Sequence, residues 1–300
     1  MIIQTVGTGM RKRRPPPSLR RPLSTSECLE ALSAKRRELI SPVLQNPRDF
    51  VLLSARALAE RLKVDAATAV RIVLRMGFES YREFQRFLHD LAMSQATGLD
   101  MMQTSRAKGS NLAAHVREAV DQAVTNTQHL RNTLEPNRVA ACAKRIRDAE
   151  RVFIFAGDLA ASLAAFFGYH LRILGFTALE GRGTGDTIHL AQTAGKKDLV
   201  FAISFRRGLR ETVAALQEAK SNGCYCIGLT DTYVSPIARF SDECFIASVD
   251  TPAFGNSYAA PMCLIDGIVA AASYYQRARD ESILQRAAEE QRSGFRWYRE

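Results

Sequence analysis

The strongest constraint on the fold is a change of hydrophobic period near residue 150. Upstream, apolar residues recur at helical spacing, whereas from Arg151 onward short apolar runs alternate with amphipathic stretches. The runs are RVFIFA (151–156), TALEG (177–181), DLVFAISF (198–205), CYCIGLT (224–230) and ECFIASV (243–249). Strands apolar at consecutive positions are buried on both faces, and their alternation with helices implies a parallel sheet with right-handed crossovers. The expected fold is α/β, an all-α helix-turn-helix domain followed by a five-stranded, doubly wound parallel α/β sandwich. Helices are expected over 112–134 and 137–149, with one long helix over about 257–290.

Charge is placed as unevenly as period. Residues 1–110 hold 19 Lys and Arg against 10 Asp and Glu, while residues 111–300 hold 22 against 21. Nearly all of the formal net charge of +10 therefore sits in the first third, which points to an anionic partner there. Six of those cations fall in the acid-free stretch RKRRPPPSLRR, whose prolines and charge density exclude a packed core. Residues 1–25 read as a disordered basic arm: either a tail upstream of an alternative start at Met10, or an arm lying on nucleic acid. No apolar run reaches the roughly 18 residues of a membrane span. No signal-peptide core is visible, so a cytoplasmic location without membrane contact is expected. The cysteines form no C-x-x-C pair, and Cys224 and Cys226 read as small buried thiols on one strand face. No metal site or cofactor is expected.

Residues 26–92 read as the DNA-binding domain. Ser54 can cap a short helix that buries Ala55, Leu58, Ala59 and Leu62, and after a tight Lys63–Val64 joint Asp65 caps a second helix ending at Gly77. Lys63 stands where glycine often turns the chain, so a left-handed conformation costing about 1 kcal/mol is expected there. At about 100° per residue, Ala66, Ala69, Val70, Val73 and Met76 form one stripe of the second helix. Ala67, Thr68, Arg71 and Arg75 form the opposite stripe, where small residues allow close approach to a major groove and arginine can fork onto guanine. The candidate DNA contacts are Lys63, Ala67, Thr68, Arg71 and Arg75. Residues 93–111 lose periodicity and read as a linker or a poorly formed helix. Residues 112–285 form the α/β domain, and 286–300 a tail.

These residues resemble a known family. LSARALAERLKVDAATAVRIVLRMGFESYREF, with Gly77, Phe78, Tyr81 and Phe84, is similar to the N-terminal DNA-binding domain of RpiR/MurR bacterial transcriptional regulators. Residues 151–276 resemble the sugar isomerase (SIS) domain that follows it in that family, notably in RVFIFAGDLAASLAAFFGYHLRILGF, AISFRRGLRETVAALQEAKSNG, SPIARFSD and LIDGIV. The resemblance implies a regulator of sugar catabolism genes, a homodimer or homotetramer, whose SIS-like domain senses a phosphosugar and serves as the dimerisation unit. Its operator on double-stranded DNA is expected to be an inverted repeat.

Two departures qualify the expected ligand. The family's third strand is followed by I-S-x-S-G-x-T-x-E, a loop that cradles phosphate at a helix N-terminus. Here Ser204 and Glu211 are kept, Arg206 and Arg207 replace Ser-Gly, and Leu209 replaces Thr. After the first strand the usual G-x-G-x-S reads Ala156, Gly157, Asp158, Leu159, Ala160, with an acid where a phosphate would approach. The arginines can hold an anion by bidentate geometry, pair with Asp158 and close the crevice, or make a subunit contact. The candidate ligand set is Gly157, Asp158, Thr184, Ser204, Arg206, Arg207, Asn256 and Ser257, for a small anionic carbohydrate-derived effector, a sugar phosphate or sugar acid. An isomerase would need a general base beside a sugar carbonyl, and of five scattered histidines only His189 is placed to serve. No enzyme activity is expected. The remaining alternative keeps DNA binding and makes the α/β half a scaffold without ligand.

Overall fold

The computed structural model describes residues 25–95, 97–107, 111–181, 183–275 and 278–293. The basic arm lies outside them. In the head, α1 (Thr25–Glu30), α2 (Ala34–Gln45), α3 (Ala55–Leu62), α4 (Ala66–Arg75) and α5 (Tyr81–Gln95) close around one apolar core. Cys28, Ile40, Val43, Leu58, Ile72, Met76, Phe84 and Leu88 are its buried centre. Ser54 Oγ accepts from the Ala57 amide at 3.2 Å, and Asp65 Oδ1 from the Thr68 amide at 2.8 Å, so each short helix starts on a side-chain cap. Lys63 sits at φ 55° and lets the Val64 amide donate back to Ala59 O at 3.0 Å. That left-handed closure makes the joint tight.

The stretch expected to be a linker is largely helical. α5 runs on to Gln95, and α6 (Gly98–Ala107) follows at once. The Thr97 amide donates to Asp100 Oδ2 at 2.8 Å while the Asp100 amide donates to Thr97 Oγ1 at 3.2 Å, a reciprocal capping box that starts α6 despite its weak apolar periodicity. α7 (Leu112–Thr133) and α8 (Pro136–Asp148) lead into the sheet.

The second half alternates as expected: β1 (Val152–Ala156), α9 (Ala161–Ile173), β2 (Ala178–Glu180), α10 (Thr184–Thr193), β3 (Leu199–Ile203), α11 (Arg210–Ser221), β4 (Tyr225–Thr230), α12 (Pro236–Phe240) and β5 (Glu243–Ile246). The strands form one parallel sheet in the order β2-β1-β3-β4-β5. Every residue of β1 and β3 is buried. The period of two divides them: Ile154, Phe201 and Ile203 face a core shared with Ile146, Phe167 and Leu264, while Phe153, Phe155, Val200 and Ala202 face one shared with Ala191, Ala215 and Leu216. Helices thus cover both faces. Cys224 and Cys226 are buried free thiols, and burial pushes Cys226 up to about 12.

The long last helix is instead two. α13 (Ala259–Ser273) ends where its buried face of Leu264, Ile265, Ile268 and Ala272 runs out, and the polar α14 (Ala278–Ser293) follows. Between them Tyr275 packs against the sheet core, and the Arg147 guanidinium lies 5.0 Å from its ring centre. Among the described residues no helix is long and apolar enough to cross a membrane, and no three metal-capable side chains cluster.

Candidate effector crevice and DNA-reading helix

The strand order reverses between β1 and β3, and at such a switch point the loops leaving the two strands part to make a crevice. It encloses about 330 Å³ between residues 157–160, residues 204–209, Thr97, Asn256 and Tyr258. Each loop holds a non-glycine residue in the left-handed region, Asp158 at φ 52° and Arg206 at φ 59°. Such conformations persist only where the surroundings impose them. For Arg206 the surroundings are visible: its amide donates to Asp231 Oδ1 at 2.8 Å. The loop is closed by the Leu209 amide, which donates to Ser204 Oγ at 2.8 Å. Gly157 packs closely on the loop after β3: a Cβ there would lie 2.3 Å from Leu209 Cδ2 and 2.4 Å from Glu211 Oε1, so a larger residue would displace those side-chain ends.

Of the three uses open to the arginines in sequence, pairing with Asp158 is not the one their bonds make. Arg206 Nη2 donates to Asp250 Oδ1 at 3.0 Å, Nη1 to Met93 O at 3.1 Å and Nε to Asn256 Oδ1 at 3.5 Å, with Asp231 Oδ2 3.9 Å from Nε. Its side chain is 12% exposed, so the guanidinium is committed to protein partners rather than to Asp158. Arg207 is exposed at the crevice mouth, where Nη2 donates to Gln95 O at 3.0 Å. Burial pushes the Asp231 carboxyl above the ordinary carboxylate value, against the pull of Arg206. Tyr258, whose ring lies 5.4 Å from that of Phe205, has its phenol pushed up by burial as well.

Of the candidate ligand residues, Gly157, Asp158, Ser204, Arg206, Arg207 and Asn256 line the crevice together. Ser257 is not among the lining residues, and its amide donates to Val249 O at 3.0 Å. Thr184 is the first residue of α10, and its side chain is outside the described set. The crevice residues missed in sequence are Thr97, Phe205 and Tyr258, together with Asp231 and Asp250 behind it. Asp231 had a signal, an acid one residue past a buried strand. The Met93 and Gln95 carbonyls had none.

On α4, Ala69, Ile72, Val73 and Met76 are buried and Val70 half-buried, while Ala67, Arg71, Leu74 and Arg75 are exposed. Ala66, assigned in sequence to the inner stripe, is exposed in the first turn of α4, and Ile72 lies in the core instead. Thr68 is half-buried; its hydroxyl donates to Asp65 Oδ2 at 2.6 Å and accepts from Arg71 Nη2 at 2.9 Å. These bonds hold the Asp65 carboxyl below its ordinary value and aim Arg71 along the helix. Lys63 is exposed at the joint. Leu74, 46% exposed between the two arginines, is an apolar tip that sequence reasoning passed over.

Residues 145–271 match the SIS domain family model. The HTH-type transcriptional regulator HexR of Pseudomonas aeruginosa is 25% identical over 224 residues, which cover 72% of this chain and 74% of that protein. The sugar isomerase domain of an RpiR transcription factor from Sphaerobacter thermophilus superposes with a TM-score of 0.54 at 25% identity, over 57% of this chain and 96% of the other. The chain carries an SIS domain and is similar to RpiR-type transcriptional regulators. The RpiR-type order, head before SIS domain, is matched along its length by the fold of the Vibrio vulnificus NanR protein, solved in complex with ManNAc-6P. That structure has a TM-score of 0.53 at 22% identity, and the match covers 87% of this chain and 94% of that one.

Proposed function

We propose that this RpiR-type chain is a DNA-binding transcriptional regulator whose SIS crevice senses a small anionic carbohydrate derivative. The observation that carries the DNA half is the open face of α4, where Ala67, Arg71, Leu74 and Arg75 stand clear of a helix whose other side is locked into the head core. Arginine can fork onto guanine and leucine can meet a thymine methyl, so this face suits a major groove. Lys63, at the joint, is within the same surface and suits a backbone phosphate.

For the ligand, a switch-point crevice of about 330 Å³ matches a monosaccharide derivative in size. Its positive elements are Arg207 and the N-terminus of α11, whose N-cap Leu209 supplies no side-chain cap and whose first turn carries Glu211. A sugar phosphate, the ligand class named for NanR, or a sugar acid fits that charge. No histidine lines the crevice among the described residues, and His189 is exposed on α10 away from it, which supports sensing over isomerisation. The exposed apolar row Leu112, Val116, Val120 and Val124 on α7 supports a homodimer, in which two heads would span two half-sites of an inverted repeat.

Melting curves of the full chain with N-acetylmannosamine 6-phosphate, gluconate and uncharged N-acetylmannosamine test the ligand half. At least one charged compound should raise the midpoint and the uncharged sugar should not. No shift with either charged compound, or equal shifts with the neutral one, would overturn anion sensing.

A further inference from the structure

The crevice loop and the DNA-reading head are joined by the arginines that replace the family's Ser-Gly pair. The Arg206 backbone belongs to the crevice, through its amide bond to Asp231 and its left-handed φ of 59°. Its guanidinium passes through the crevice wall into a second cavity of about 300 Å³ lined by His89, Asp90, Asn126 and His129. There it donates to Asp250 and to Met93 O. Arg207, one residue on, reaches Gln95 O from the crevice mouth.

Met93 and Gln95 lie in the last turn of α5, whose final carbonyls have no partner within the helix and form its negative pole. Two adjacent guanidinium groups therefore cap the helix C-terminus. α5 is a rigid part of the head, because Phe84, Phe87 and Leu88 sit in the same core as Ile72 and Val73 of α4. Val234, on the loop after β4, packs against that core and keeps the head close to the crevice.

We propose that Arg206 and Arg207 are a latch between head and SIS domain, and that an anion entering the crevice opens it. This regulation rests on the sensing function proposed above. A charged acceptor in the crevice competes with the neutral carbonyls of Gln95 and Met93 for the donors of Arg207 and Arg206, and charge-assisted bonds are the stronger, although Arg206 is held by the Asp250 carboxylate as well. Arg207, exposed and held by a single carbonyl, is released first. Arg206 follows to the extent that its strained turn relaxes, since a left-handed arginine gains by leaving that conformation. Release leaves the last turn of α5 uncapped and the head free to move against the SIS domain.

Hydrogen–deuterium exchange on the full chain tests this, read at the α5 amides Leu91–Gln95. Arg207→Ala removes one donor from an exposed side chain, and Arg206→Gly removes the other while suiting the left-handed turn. Exchange there should rise about tenfold in either variant, as for loss of a charge-assisted hydrogen bond. Wild-type protein saturated with N-acetylmannosamine 6-phosphate or gluconate should show the same rise, and the double variant no further rise on adding it. Unchanged exchange in the folded Arg207→Ala and Arg206→Gly proteins would overturn the latch. A compound that raises the melting midpoint without changing exchange at Leu91–Gln95 would overturn its opening by ligand while leaving sensing intact. If neither compound shifts the midpoint, sensing itself fails and ligand opening with it.

Discussion

On α4, Arg71 and Arg75 stand in solvent, and Arg71 donates locally, to the hydroxyl of Thr68. In the loop after β3, Arg206 is nearly buried and its guanidinium reaches Asp250, Asn256 and the peptide of Met93. The difference is one of backbone. A straight helix with one face packed leaves the other free to present its charges, whereas a left-handed turn throws the side chain sideways into whatever adjoins it. In sequence both pairs look like anion sites, but Arg206 differs from the α4 pair in having its donors directed into the protein.

The contrast breaks most visibly on stability. Arg206→Ala should cost about 2–4 kcal/mol in chemical denaturation, because it leaves Asp231 buried and without its cation. A change no larger than a surface substitution would mean that Arg206 is as free as Arg71. Next in size, Arg71→Ala should weaken specific DNA binding by about 1–3 kcal/mol in gel-shift titrations, relax base preference at one position and leave the melting midpoint unchanged. Lys63→Gly should stabilise the head by about 1 kcal/mol, since glycine adopts φ 55° without steric cost, and should trim DNA affinity only slightly.

The smallest effect has opposite sign in the two regions. Asp65 is held below the ordinary carboxylate value of 3.8, so its contribution to stability is present above that pH and is lost as pH falls through its lower folded value. Asp231 is pushed above 3.8, so the folded state keeps its proton more firmly. Stability from this group improves as pH falls from the raised value towards 3.8. Denaturation across that acid range should therefore show Asp65→Asn removing a loss and Asp231→Asn removing a gain. Parallel curves for the two variants would contradict the assignment.

Much of the architecture was legible in sequence because strands buried on both faces are apolar at consecutive positions, as β1 and β3 are. The left-handed Lys63 was legible too, since two capped helices leave only one tight joint between them. The fate of Arg206 was not. Two of its acceptors are a main-chain carbonyl at Met93 and a carboxylate at Asp250, which lie 113 and 44 residues away, and a carbonyl has no side-chain signature. The α6 start was readable in principle from Thr97 and Asp100, but the weak apolar stripe beyond it hid the helix. The break between α13 and α14 depends on where the sheet stops offering apolar surface, a property of the packed whole.

The central claim is that α4 reads a DNA sequence. Anisotropy titration of the full chain measures it most directly, comparing an inverted-repeat duplex enriched from a random pool with a scrambled duplex at one fixed, physiological salt concentration. A DNA-reading head predicts binding at least about a thousandfold tighter to the enriched duplex, with most of that preference lost in Arg71→Ala. Equal affinity for the two duplexes, or a preference that survives Arg71→Ala and Arg75→Ala together, would contradict it.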